Sequence, residues 1–464
     1  MFSLPRKGTH KAEYRTLPLF PLLFIALLGT VLSADAGVSR AAEVRMSLEE
    51  ALHRALEENH ELRAAWSSLS AQGEEIGIAR SVLLPRLTFE ERFTRTNNPP
   101  LVFSTKLNQE RFSQDDFSLT SLNAPKAVTD FQTSLSFEQL LFAQTARIGL
   151  AMAKGEHSAE SEDFLRKKEE VAFKVIQAYL MVHTAREYAQ IAEKAVEDAR
   201  EHLRIAELRY NAGLGLYSDT LRAATAVTDA EQRKVSAHKN LAVAKRTLGL
   251  LLGMPEEVDT SDEDREIPVR DLSYYTGASL SRKDIVSMQR RHEKAQLRVK
   301  LAGSAYLPTI GIGGGYQLND HRKPFGAEGD SWHVGAFLRW DLFDGRKREH
   351  ERAKAQFGVQ ESEEHMKALK NAVSLHVFTA YLGVKEARKN AELARDALKT
   401  AEEGTRLVRI RYENSLSPLV DLLDAQVSLD HARASLVARD NEYRTAAARL
   451  SYESGTLLKD LKIE

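Results

Sequence analysis

Apolar and polar positions follow two rhythms along this chain, and each rhythm occurs twice. Val171, Val175, Ala178, Val182, Ala185, Ala189, Ala192, Val196, Ala199, Leu203, Ala206 and Tyr210 are spaced by alternating steps of four and three. Adding 202 to each number gives Val373, Val377, Ala380, Val384, Ala387, Ala391, Ala394, Leu398, Ala401, Thr405, Val408 and Tyr412. A 3.5-residue period held over so many turns predicts helices packed as coiled coils. The many alanines predict that the neighbouring helices approach closely. From about Thr145 to Tyr210 such a helix would be roughly 100 Å long at 1.5 Å per residue. That length suits a tube or rod and has no use in an ordinary globular domain.

The second rhythm has period two and predicts strands. Leu87, Phe89 and Phe93 share a face in 86–96, opposite Arg86, Glu90 and Arg92. Phe131, Thr133, Leu135 and Phe137 do the same in the next segment, and Ile310, Ile312, Tyr316 and Leu318 in a third. The fourth carries Trp332, Val334, Ala336, Leu338 and Trp340, with His333 and Arg339 opposite. Trp332 and Trp340 are about 26 Å apart along an extended strand. This spacing predicts an aromatic residue at each edge of an outer-membrane apolar band of about 25 Å. Four strands cannot close a membrane barrel alone, whereas three chains supply twelve, so a homotrimer is expected. The polar, turn-rich stretches 97–130 and 319–331 read as extracellular loops.

Both rhythms belong to one duplicated unit. Arg209-Tyr210 returns as Arg411-Tyr412, Asp219 as Asp421, Ala223 as Ala425, Leu248 as Leu450 and Gly253 as Gly455, each 202 positions on. The first copy is expected over 37–254, with strands at about 86–96 and 131–141 and a helical hairpin at 145–253. The second is expected over 281–457, with strands at 309–318 and 332–342 and a hairpin at 345–457. An acidic linker or equatorial segment, 255–280, joins them, and 458–464 is a tail. Each copy reads helix, strand, strand, long helix, helix. Ser47-Leu48-Glu49-Glu50 is a capping box that opens the first helix, expected to run to Leu84-Pro85. The matching helix of the second copy is expected from near Ser281 to just before Pro308.

Composition adds exclusions. The 464 residues carry a net charge of −1 and no cysteine, which removes disulfides, thiolate metal sites and a cysteine nucleophile, and singles out no nucleic-acid partner. Arg6, Lys7, Lys11 and Arg15 precede an apolar run from Leu17 to Leu32 and then Ala34-Asp35-Ala36. This reads as a signal peptide over 1–36; Pro18 and Pro21 disfavour the alternative of a membrane anchor. The 14 histidines form no H-E-x-x-H or other ligand cluster. Gly311-Ile312-Gly313-Gly314-Gly315 lies within a strand with no helix after it, so it reads as close packing rather than a phosphate loop. No nucleophile–base constellation, cofactor motif or metal motif is present, and no enzyme is expected.

On its opening Ser47-Leu48-Glu49-Glu50-Ala51-Leu52, the paired Leu84-Pro85 and Leu307-Pro308, Asp341-Leu342-Phe343-Asp344-Gly345, Arg209-Tyr210-Asn211-Ala212-Gly213, and Arg411-Tyr412 leading into Asp421-Leu422-Leu423-Asp424-Ala425-Gln426, the chain resembles the TolC-like outer-membrane efflux family. The resemblance covers essentially the whole mature chain. It implies a mainly α fold with a small transmembrane β-barrel, assembled as a trimer with a twelve-stranded outer-membrane β-barrel and a twelve-helix periplasmic α-barrel. It further implies passive conduction, contact with outer-membrane lipid, and docking of a periplasmic membrane-fusion adaptor and an inner-membrane pump of RND or ABC type. By motif position, Ser218, Asp219, Tyr412, Asp421 and Asp424 correspond to the periplasmic gate. Tyr210, Gly213, Leu214, Ser415 and Leu416 correspond to the adaptor-docking tips. Two positions depart from the family pattern: Ser415 replaces a glycine, and Ser417 stands where the best-known member has a locking arginine. Asp219 and Asp421 could instead be helix N-caps.

Two other classes compete with this reading. A periplasmic adaptor has one hairpin between β-rich domains, and a plain coiled-coil rod has no tryptophan-edged strands. The cargo, whether drug, metal ion or protein, stays open.

Overall fold

The computed structural model describes residues 44–261 and 267–463, so the signal-peptide segment lies outside the described residues. The elements in order are β1 (Val44–Met46), α1 (Leu48–Glu58), α2 (His60–Ser81), β2 (Arg86–Thr96), α3 (Pro99–Asn108), a 3-10 turn (Gln114–Phe117), α4 (Leu119–Asn123), β3 (Val128–Phe142), α5 (Gln144–Asn211) and α6 (Tyr217–Leu251). They continue with β4 (Val258–Thr260), α7 (Leu272–Ser279), α8 (Lys283–Ser304), β5 (Thr309–Asp320), β6 (Gly329–Arg339), α9 (Lys347–Glu413), α10 (Leu419–Ser454) and α11 (Leu457–Asp460). The protein is mainly helical, yet no helix of the described residues is long and apolar enough to cross a membrane.

The 3.5-residue stripe is the buried stripe. In α5 it is closed to solvent from Val171 to Ala199 and at Ala206, and in α9 the same holds at Val373, Val377, Val384, Ala387, Ala391, Ala394 and Thr405. Helices α5 and α9, 68 and 67 residues long, are each about 100 Å from end to end. The shorter helices pack along them: α6 and α2 on α5, α10 on α9, and α8 between α5 and α9. Near the middle, the Asn59 side chain accepts from the N–H groups of Glu61 and Leu62 and donates to the Leu251 carbonyl at 2.8 Å. That N-cap breaks the first helix, which was expected to run unbroken to Pro85. Asn59 is extended at ψ 126°, and the break lets α2 start where α6 stops. Likewise 255–280 is more than a connection. It holds β4, which pairs in parallel with β1, and α7, whose Tyr275 sits in the core with Val377 and Leu450.

At one end the chain forms an antiparallel sheet in the order β2-β3-β5-β6. Its register joins the four expected apolar faces into one. Phe89 lies opposite Leu135, Leu135 opposite Tyr316, and Tyr316 opposite Trp332. Leu87, Phe137, Gly314 and Val334 form the next such row. Most of these side chains are exposed in the single chain, and β2 and β6 are both open edges. The glycine run is a packing requirement. A Cβ on Gly311 would lie 2.5 Å from the Phe337 ring, and one on Gly314 would lie 2.7 Å from the His333 carbonyl.

Two strand expectations need correction. β6 ends at Arg339, short of the expected 342, and Trp340 lies just beyond it with its indole N–H on the Tyr306 carbonyl at 3.1 Å. Arg348 explains the stop: its guanidinium donates to the carbonyls of Asp341 and Leu342 at 2.9 and 3.1 Å and turns the chain into α9. The stretch 97–130 is also more ordered than a plain loop. Asn98 caps α3, whose first residues are prolines, and Phe103, Phe112 and Phe117 pack edge to face.

Val334 is midway along β6 on the apolar face. Val334→Arg is therefore expected to cost about 2–4 kcal/mol of assembly, the range for a cation near a bilayer midplane, and to deplete the protein from outer-membrane fractions. Arg339→Ala, on the polar face, should leave the yield unchanged. Equal yields from both variants would place this sheet in water.

Candidate functional site at the hairpin tips

Opposite the sheet, each long helix reverses into its shorter partner through a turn of the same design. After α5 the N–H groups of Ala212, Gly213 and Leu214 reach back to the carbonyls of Leu208, Tyr210 and Arg209. After α9 those of Asn414, Ser415 and Leu416 reach Ile410, Tyr412 and Arg411. These bonds satisfy the carbonyls orphaned at a helix end. Gly213 is left-handed at φ 71° and Ser415 at φ 61°. The serine meets a penalty there of roughly 1–2 kcal/mol that glycine avoids.

Arg209 compensates. Its guanidinium donates to the Ser415 hydroxyl at 3.0 Å and to the Tyr412 carbonyl at 2.6 Å, and lies 4.8 Å from the Tyr412 ring centroid. One side chain of the first tip thus holds the backbone, the strained serine and the aromatic ring of the second. Sequence reasoning treated Arg209 only as part of a repeated motif. The available signal was the Arg-Tyr duplication itself, with its serine-for-glycine departure.

The two tyrosines have parted company. Tyr412 is 3% exposed, packed with Ala206, Ala223, Leu419 and Leu422, whereas Tyr210 is 45% exposed and meets only Tyr217 by its ring. Burial raises the Tyr412 phenol above its ordinary range; Arg209 opposes this and Asp219 adds to it. Asp219 is therefore an electrostatic neighbour of Tyr412. Neither Asp219 nor Asp421 caps its helix. Both sit in the first turn with no side-chain cap bond, where a negative charge still favours the helix dipole. Asp421 and Asp424 lie on the exposed side of α10, as Ser218 does at the start of α6. The expected gate residues thus divide into buried Tyr412 with half-buried Asp219 beside it, and an exposed pair, Asp421 and Asp424. Leu214, Leu216, Tyr217 and Leu416 form an exposed apolar rim at the turns, beside exposed Gly213 and Ser415.

Farther up the α5–α10 seam lies a polar cluster that sequence reasoning missed. His202 is 1% exposed, and neither ring nitrogen has a hydrogen-bond partner. Gln426 donates to Asp198 at 3.2 Å and to Asp430 at 3.0 Å, and Arg433 lies 3.7 Å from both carboxylates. Arg409 adds a further charge facing the ring. Nothing marked His202 in the sequence beyond its i+4 relation to Asp198.

Burial holds the His202 imidazole below its ordinary 6.5, so the closed seam favours the neutral ring. A parted seam takes up the extra proton between that lowered value and 6.5. The seam's stability is therefore complete above this window and falls as the pH drops through it. Asp430, raised by burial, acts in the opposite sense, but it is common to the native protein and a His202 variant. His202→Met is expected to flatten the fall in melting temperature between about pH 7.5 and about pH 5.5. An unchanged slope would assign the titration to another group.

Known proteins share the fold of this chain. A family model described as outer membrane efflux protein matches residues 51–254 and 275–456. The outer membrane efflux protein BepC of Brucella suis is 21% identical over 443 residues, covering 94% of this chain and 90% of its own. The alkaline protease secretion protein AprF of Pseudomonas aeruginosa is 23% identical over 439 residues, covering 89% and 85%. A crystal structure of CusC superposes with a TM-score of 0.75 at 17% identity, covering 92% of this chain and 95% of that one.

Proposed function

This chain belongs to the outer membrane efflux protein family, and from that premise we propose that three copies close into the exit duct of a tripartite efflux or type I secretion system. The duct lies in the outer membrane, extends far into the periplasm and conducts passively. What carries the trimer is the sheet, apolar on one face and unpaired at both edges. Strands β2 and β6 run in opposite directions, so β6 of one copy can pair antiparallel with β2 of the next. Unpaired backbone groups in hydrocarbon cost several kcal/mol each. Twelve strands from three chains remove every open edge.

The same threefold arrangement gathers α5, α6, α9 and α10 from each copy into a twelve-helix periplasmic barrel. Its narrow end is built from the tips, with Tyr412 and Asp219 in the latched seam and Asp421 and Asp424 as stacked acidic rings. Charged rings in a constriction attract cations and disfavour anions. Arg222 occupies the first-repeat position equivalent to Asp424, so the second tip carries the ring and the first braces it through Arg209. The apolar rim around Leu214, Tyr210 and Leu416 supplies the docking surface for a membrane-fusion adaptor, with an inner-membrane pump of RND or ABC type behind it. Relatives named for efflux and for protease secretion are both consistent with such a duct.

The mature protein is expected in outer-membrane fractions, extractable only with detergent and cross-linking as a trimer. Recovery as a detergent-free soluble monomer would end this reading. In planar bilayers, Asp421→Ala combined with Asp424→Ala should lower cation selectivity, and Arg209→Ala should raise conductance by freeing the second tip. Unchanged selectivity and conductance would leave the tips structural and the gate elsewhere.

A further inference from the structure

The connection between β5 and β6 brings together side chains that the duct does not use. Its stem is closed by a bond from the Glu328 N–H to the Asn319 carbonyl at 3.0 Å. This pairing places Asp320 and His321 from one side against Glu328 from the other. One potential ligand atom from each lies within 4.8 Å of the others, and no other such group occurs among the described residues. The His321 Nδ1 lies 2.5 Å from Glu328 Oε2, which orients the ring.

A second observation concerns charge. Asp320 is 3% exposed and Asp130, on the neighbouring strand, 6%. Asp130 is held by the amides of Gln109 and Asn319 at 2.7 and 2.9 Å. Asp320 Oδ1 accepts from the backbone N–H groups of Arg322 and Lys323 at 2.7 and 3.1 Å, and its Oδ2 has no hydrogen bond. All these donors are neutral, and neither buried carboxylate has a cationic side chain within ion-pair distance. A carboxylate this buried is costly unless its charge is compensated, and Arg322 and Lys323 compensate Asp320 only from beyond ion-pair distance. Gly326 packs against this oxygen: a Cβ there would lie 2.0 Å from Asp320 Oδ2.

We propose that Asp320, His321 and Glu328 form a site for a divalent transition cation at the turn between β5 and β6. One imidazole nitrogen with carboxylate oxygens suits Zn²⁺ and similar ions, which leave remaining positions to water. Ligand bonds of about 2.1 Å place tetrahedral ligands about 3.4 Å apart, so side-chain rotations of about 1.5 Å would complete the site. The Arg322 guanidinium, 3.1 Å from Glu328 Oε1 and largely exposed, can swing into solvent. The bound ion would offset the charges of Asp320 and Glu328 and tie the two sides of the connection together.

The test uses the full protein in detergent, stripped with chelator and titrated with Zn²⁺ by calorimetry. One saturable site per chain is expected, weakened at least about tenfold in His321→Ala and in Glu328→Gln and unchanged in His53→Ala, a surface position on α1. Absence of a saturable site, or a site that both variants leave intact, overturns the proposal. Co²⁺ titration of the native protein serves if the variants do not assemble: a visible absorption band displaced by one equivalent of Zn²⁺ supports the site, and no band overturns it.

Discussion

Close approach along an alanine and valine seam sets the distances on which the rest of this chain depends. A small side chain every 3.5 residues keeps one stripe of α5, and its counterpart on α9, against neighbouring helices over many turns. A bulkier residue at Ala189 or Ala391 would separate the helices over much of their length. The shorter helices must then be stacked end to end along each long one, and the joins are where special residues occur. Asn59 caps α2 against the end of α6. Arg282, at the start of α8, donates to the Glu453 carbonyl at the end of α10. Gly253 and Gly455 are both left-handed and lie against Glu58 and Arg282, too close for a Cβ.

The backbone is duplicated but the chemistry is not. The two tip turns share their hydrogen bonds, yet Tyr412 is buried and Tyr210 exposed, and Asp424 faces solvent where the first repeat has Arg222. Ser415 tolerates a left-handed backbone because Arg209 reaches it from the other repeat. A lone hairpin gains nothing from these differences. They act only where the two unlike tips touch, which lets a duplicated fold carry a latch on one side and exposed acids on the other.

The two ends of the molecule solve the backbone problem in opposite ways. At the tips, every turn closes its own carbonyls and leaves side chains to make contacts. At the sheet, side chains are complete as a face and the backbone is left open at both edges. One end thus presents side chains, and the other presents two unpaired backbone edges. His202 lies between these regimes, in a seam whose buried polar atoms are incompletely paired.

Periodic features were legible in the sequence because they repeat. The seam, the strand faces, the capping box at Ser47 and the glycine at Gly213 each follow from a local rule applied to neighbouring positions, and the 202-residue offset checks one copy against the other. Features made by one residue meeting a distant one were not legible. Asn59 breaks a helix where Leu251 takes its donor, the chain turns after β6 where Arg348 takes the carbonyls of Asp341 and Leu342, and Arg209 matters because Ser415 lies beside it. His202, Asp320 and Glu328 have no pattern of their own. Periodicity determines which face is apolar, but long-range packing decides which polar atoms share that space, and only the tertiary structure specifies it.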